Sequence, residues 1–177
     1  MEEKLDVLNE RGEFTGEVAT REECHRMGLW HRAVYGFVID KDSNVLLQKR
    51  SSDKKLWPNK WDVTVGGHVD AGEFGMETII RECKEELGIE VQESEIKYLT
   101  SSTSVYVKGD YSNNHYDECY LIMKDIDISE LTLQLEEVSD VQYFSKEELL
   151  QRIENNYDGL TEKTVSWHFL KRILDNN

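Results

Sequence analysis

The chain has 177 residues, 38% hydrophobic and 32% charged, which suits one domain with a core of its own. Its net charge of −15 argues against a binder of nucleic-acid polymer or of an anionic membrane, because phosphates would be repelled. No apolar run approaches the length of about 20 residues that spans a bilayer, and MEEKLDVLNERGEF, charged from its second residue, is unlike a signal peptide. Cys24, Cys83 and Cys119 are odd in number, widely spaced and without a CxxC, so they read as free thiols of a reducing compartment and the expected location is cytoplasmic.

From the N-terminus, KLDVLNERGEFTGEV patterns as a hairpin turning at Asn9–Gly12. TREECHRM starts a helix, with Thr20 as N-cap and Glu23 completing a capping box. HRAVYGFVID, DKDSN and VLLQKR read as strand, turn and strand. SSDKKLWPNK reads as a loop, and WDVTV as a strand broken by Gly66 and Gly67. Glu73–Leu87 has helical period, with Met76, Ile79, Ile80, Cys83 and Leu87 on one face and Gly88 suited to the left-handed stop. IKYLTSSTSVYVKG and DECYLIMKDI read as strands around a turn at DYSNN, and VSDVQYF as the last strand. SKEELLQRI opens a helix at Ser145, and Glu162–Leu174 forms a closing amphipathic helix. Strands dominate the middle, with one long helix inserted and two at the end, so the fold class is α+β. No repeat or linker divides the chain. Residues 1–177 therefore read as one domain, with a hairpin and helix over about 1–28 and a core over about 29–177.

The segment RECKEELG places Glu82, Glu85 and Glu86 within one helical turn of each other. Like charges at i,i+4 weaken a helix. Two readings fit: a solvated helix face, or carboxylates converging on a hard divalent cation, Mg²⁺ or Mn²⁺. GGHVDAGE leads straight into this helix, and its glycines permit positive φ and close backbone approach.

Together GHVDAGEFGMETIIRECKEELGI fills every fixed position of the Nudix box, with Cys83 a soft departure where an aliphatic residue is usual, and the chain resembles the Nudix hydrolase family. The resemblance implies an α/β/α sandwich on a mixed β-sheet and metal-dependent hydrolysis of a diphosphate linkage. It implies that Glu82, Glu85 and Glu86, with the Gly67 carbonyl, hold the metal, and that Glu73 and Arg81 brace loop to helix. The general base can lie outside the box. Glu136 and Glu137 in QLEEVSD are candidates for it, or an exposed charge pair.

LLQKRSSDKKLWPNKWDVTVGGH also resembles the corresponding stretch of type I isopentenyl-diphosphate isomerases, a branch of the same fold. That resemblance implies diphosphate binding by Arg50 and Lys54, the local cations an acidic protein needs. The isomerases bind a separate metal through histidines. His31 and His68 match those positions, and His25 falls one residue out of register. Asp117 and Glu118 lie near the positions of the carboxylate partners. Three separate structural histidines remain the alternative. The isomerase cysteine just before the GH pair is Gly66 here, which weakens the isomerase reading.

The leading expectation is thus a Mg²⁺-dependent (or Mn²⁺-dependent) pyrophosphohydrolase acting on a small organic or nucleotide diphosphate. An isomerase-like enzyme and a non-catalytic module sensing a nucleotide-sugar are the alternatives. Trp30, Trp57 and Trp61 are candidates to stack a planar group, or core residues. The expected partner is a small-molecule diphosphate. The oligomeric state stays open, a homodimer being one option.

Overall fold

The computed structural model describes residues 2–162 and 164–175. In chain order the elements are β1 (Lys4–Leu8), β2 (Phe14–Thr20), α1 (Arg21–Met27), β3 (Trp30–Ile39), β4 (Val45–Arg50), β5 (Trp61–Asp62), β6 (Val65–His68), α2 (Gly75–Leu87), β7 (Ile96–Lys108), β8 (Tyr111–Met123), β9 (Val138–Phe144), α3 (Lys146–Glu154) and α4 (Thr164–Asp175). Among the described residues no helix is long and apolar enough to cross a membrane.

The layers follow from β3. Every residue from Ala33 to Ile39 is buried, which requires cover on both faces of the sheet. Side chains alternate along a strand. Ala33, Tyr35, Phe37 and Ile39 join one apolar cluster, with Leu149 and Ile153 of α3 and Trp167 and Leu170 of α4. Val34 and Val38 join the other, with Ile79, Cys83 and Leu87 of α2. The result is an α+β fold of α/β/α layers on a mixed sheet, as expected. β3 pairs parallel with β8 over its whole length, Trp30 opposite Asn114 through Ile39 opposite Met123. Its other edge is shared by three antiparallel partners in succession: β1 at Trp30, β6 at Ala33–Gly36 and β4 at Val38–Ile39.

The helix ends obey their local signals. Both arms of the capping box form at α1: Glu23 N donates to Thr20 Oγ1 at 3.2 Å, and Thr20 N donates to the Glu23 carboxylate at 2.9 Å. α2 stops at Gly88, whose φ of 71° is left-handed. Ile79, Cys83 and Leu87 are buried and Met76 and Ile80 partly so, as the helical period requires.

Three sequence expectations are corrected. Gly66 and Gly67 do not break a strand. They lie inside β6, opposite Tyr35 and Val34, and the WDVTV segment is interrupted at Val63–Thr64 instead. The turn is not at DYSNN: β8 begins at Tyr111, and Gly109–Asp110 carry the turn, Gly109 with φ of 60°. Pairing of Tyr111–Asn114 with Val105–Lys108 overrides the low strand propensity of Ser and Asn. The helix after the glycine turn begins at Gly75, not Glu73, leaving Glu73 in the loop. The last helix is observed from Thr164 to Asp175. Lys163, within the expected span Glu162–Leu174, lies outside the described residues.

Ile79 of α2 is fully buried in its apolar cluster. Ile79→Ala is expected to lower unfolding stability by about 2–5 kcal/mol, read by denaturant titration.

Candidate active site

The apolar face of α2 is sunk in the core, so its other face looks into a cleft of about 1360 Å³ bounded by β6 and by the loops after β4 and before β9. Arg81 organises that face. Its Nε and Nη2 donate to the two oxygens of Glu73, each at 3.1 Å, a fork that ties the loop to the helix. Thr78 Oγ1 adds a third hydrogen bond to Glu73 at 2.8 Å. Despite the burial that opposes it, these donors hold Glu73 below the usual carboxylate range. The same guanidinium turns Nη1 to Glu82 at 2.9 Å and Glu85 at 3.1 Å, and Nη2 to the His68 carbonyl at 3.4 Å. Arg81 therefore touches both the brace and the expected metal ligands.

Glu86 is 6% exposed, with Gln48 Nε2 donating to it at 3.1 Å and Gly66 N at 3.4 Å. Burial pushes it up to about 8, and the nearby Glu82 and Glu137 add to the rise. Burial also pushes Glu82 up to about 7, against the pull of Arg81. Glu85, at 54% side-chain exposure, reaches toward solvent. A Cβ on Gly67 would overlap the Glu82 carboxylate, so glycine at this position leaves room for that carboxylate against the strand. Buried carboxylates facing each other, with one arginine among them, form a donor set that fits a hard divalent ion.

Across the cleft Lys54 Nζ pairs with the Glu137 carboxylate. The QLEEVSD loop thus brings Glu137 close to Glu86, and Glu136 lines the same cleft. Arg50 also lines it, with its guanidinium fixed by Asp62 at 3.0 Å and the Leu56 carbonyl at 3.1 Å. Of the three candidate tryptophans, Trp57 alone lines the cleft, with φ of 48° and its ring 5.1 Å from Tyr106. Trp30 packs on Tyr116, and Trp61 packs on Phe144 in the core. A Cβ at Gly66 would stand 3.2 Å from both the Tyr35 ring and the Val34 carbonyl, so the position leaves little space for a side chain. Cys24, Cys83 and Cys119 are free and buried. Burial pushes their thiols up to about 11, 12 and 12, and none lines the cleft.

The histidines are brought together. His31 and His68, and also His25, converge beside β6, with ring centroids 5.2 Å apart in each pair. A fourth ring, His115, stands 4.6 Å from His31. Burial lowers His25 to about 4, with Arg21 nearby, and His31 to about 2, with His115 and His68 nearby. Sequence reasoning missed His115 because it lay next to a supposed turn. Its signal was period two: His115 and Asp117 share one face of β8. Asp117 is buried 3.5 Å from His115 Nδ1. Glu118 points to the opposite face, accepting from Tyr120 Oη beneath the start of α2, and takes no part in the cluster.

The NUDIX domain family model matches residues 29–164. Nudix hydrolase 3 of Arabidopsis thaliana is 38% identical over 152 residues, covering 83% of this chain, and the chain spans only 20% of that protein's length. An uncharacterized Nudix hydrolase of Listeria monocytogenes is 35% identical over 147 residues, 83% of this chain and 82% of the relative. Among solved structures, a Deinococcus radiodurans protein superposes with a TM-score of 0.72 at 24% identity, covering 96% of this chain and 98% of the other.

The raised carboxyls give a pH signature. Glu82 and Glu86 hold a proton more readily folded than unfolded. Their contribution to stability is full below the unfolded value of 4.5 and is lost as pH rises through about 7 and about 8. In the unfolded chain His25 and His31 lose their protons around 6.5, an opposing trend that fades above that value and leaves the glutamates to dominate. In chelator, Tm is expected to fall from pH 6.5 to 8.5, and Glu86→Gln should flatten that fall.

Proposed function

The chain belongs to the Nudix family, and from that premise we propose that it is a metal-dependent pyrophosphohydrolase cleaving a diphosphate linkage in a small organic or nucleotide diphosphate. The observation that carries this reading is the burial of Glu82 and Glu86 together at the wall of a cleft whose other side presents Lys54 and Arg50.

Glu82, Glu85 and Glu86, with the Gly67 carbonyl, would hold Mg²⁺ or Mn²⁺. When bound, such an ion neutralises diphosphate oxygens and lowers the pKa of a water. Arg81, locked to Glu73, keeps Glu82 and Glu85 aimed at the cleft. Lys54 and the oriented guanidinium of Arg50 receive the diphosphate charge, which an acidic chain must gather locally. Binding of the substrate draws Lys54 away from Glu137 and leaves that carboxylate as the proton acceptor for the attacking water. The crowded Gly66 and the buried thiols, none of which lines the cleft, support hydrolysis over alkene isomerisation.

The test is a panel of nucleotide-sugars, dinucleotides, nucleoside diphosphates and prenyl diphosphates, with Mg²⁺ or Mn²⁺, scored by phosphorus NMR of the products. Cleavage to phosphorylated products is expected, and Glu85→Gln with Glu86→Gln should reduce kcat by at least about 10²-fold, since a catalytic ion contributes several kcal/mol. No turnover of any diphosphate by the intact protein would count against the reading. Glu137→Gln is expected to lower kcat by about 10²–10⁴-fold.

A further inference from the structure

We propose that Asp6 of β1 and Arg32 of β3 are positioning residues: they hold the loop Asp70–Glu73 and, through Glu73 and Arg81, aim the carboxylates of α2. The inference rests on the hydrolase reading and extends the scaffold of the cleft to an N-terminal strand that lies outside the family domain of residues 29–164.

The loop takes its position from β1. Leu5, wholly buried, anchors the strand and pairs antiparallel with Asp70. Ala71 N donates to the Lys4 carbonyl at 2.8 Å, and Gly72 N donates to the Asp6 carboxylate at 3.2 Å. Glu73 N closes the turn on the Asp70 carbonyl at 2.9 Å, with Gly72 left-handed at φ of 81°. Two successive loop amides are thus held by β1.

Arg32 ties these contacts to Glu73. It shares the α2 face of β3 with Val34 and Val38. Its carbonyl accepts from Val69 N at 3.1 Å, while Nη2 donates to the Glu73 carbonyl at 2.8 Å and to the Asp6 carboxylate at 3.3 Å. The Arg32 and Asp6 side chains are 21% and 14% exposed, so salt screens the pair little. Glu73 is gripped twice, its carbonyl by Arg32 and its carboxylate by the Arg81 fork. A shift of the loop moves that fork, and Arg81 Nη1 carries the shift to Glu82 and Glu85. Among the described residues, Asp6 and Arg32 make no hydrogen bond to Arg50 or Lys54, so their loss should fall on metal binding and turnover and spare substrate capture.

Asp6→Ala and Arg32→Met are expected to weaken Mn²⁺ binding, read by calorimetry, by about 10–100-fold, and to lower kcat by a similar factor. KM at saturating Mn²⁺ should stay within about twofold. Asp6→Asn keeps an oxygen for Gly72 N and Arg32 and should recover most of the loss. In metal-free protein, hydrogen exchange of residues 69–75 should quicken in Asp6→Ala, with β3 and β8 unchanged. Added to Glu73→Gln, Asp6→Ala should cost little more, because both act through one fork, whereas a purely structural pair would add its cost in full. Arg32→Met leaves the backbone pairing of β1 intact and carries the same tests where Asp6→Ala fails to fold. Should no diphosphate be turned over, the hydrolase reading fails, and loop exchange and Mn²⁺ affinity still decide this inference. Loop exchange and Mn²⁺ affinity unchanged in both variants, a loss that Asp6→Asn does not recover, or full additivity with Glu73→Gln would overturn it.

Discussion

The cleft depends on how closely α2 approaches β6. Gly67 offers no side chain where the Glu82 carboxylate lies, and the apolar face formed by Ile79, Cys83 and Leu87 holds the helix down. The consequence is electrostatic. Two carboxylates are drawn out of water beside each other, and their acidity weakens. Arg81 offsets only part of that cost, because two of its donors are committed to Glu73. The same packing that gives the helix its stability thus creates a local excess of negative charge, which a divalent cation would relieve.

The opposite sign is arranged with equal economy. Arg50 is immobilised by Asp62, itself almost wholly buried at the edge of the core, and Lys54 is parked on Glu137. A chain carrying a charge of −15 thus holds Arg50 and Lys54 at the cleft, each already paired with a carboxylate. In the proposed reading, exchange of the Lys54–Glu137 pair for a diphosphate would couple substrate binding to release of Glu137.

The parts legible in the sequence are those set by local spacing. The capping box at Thr20, the glycine stop at Gly88 and the apolar face of α2 all follow from residues within a few turns of each other. What the sequence hid depends on pairing across long separations. β8 extends through Tyr111–Asn114 because β7 and β3 hydrogen-bond to it, against the turn-like character of its own residues. That misplaced strand start concealed His115. Likewise the glycine pair looks like a break in isolation, yet it pairs with Val34 and Tyr35 and serves close packing instead. His25 owes its place in the cluster to the docking of α1 on β8, which no local pattern encodes.

The central claim, that these buried carboxylates are a metal site, is tested most directly by calorimetric titration of Mn²⁺ at pH 7 in buffers of differing ionisation enthalpy. Glu82 and Glu86, raised to about 7 and about 8, must shed protons to ligate, so binding should release protons to the buffer and tighten as pH rises toward 8. Binding without proton release, or release undiminished by Glu82→Gln with Glu86→Gln, would contradict the account.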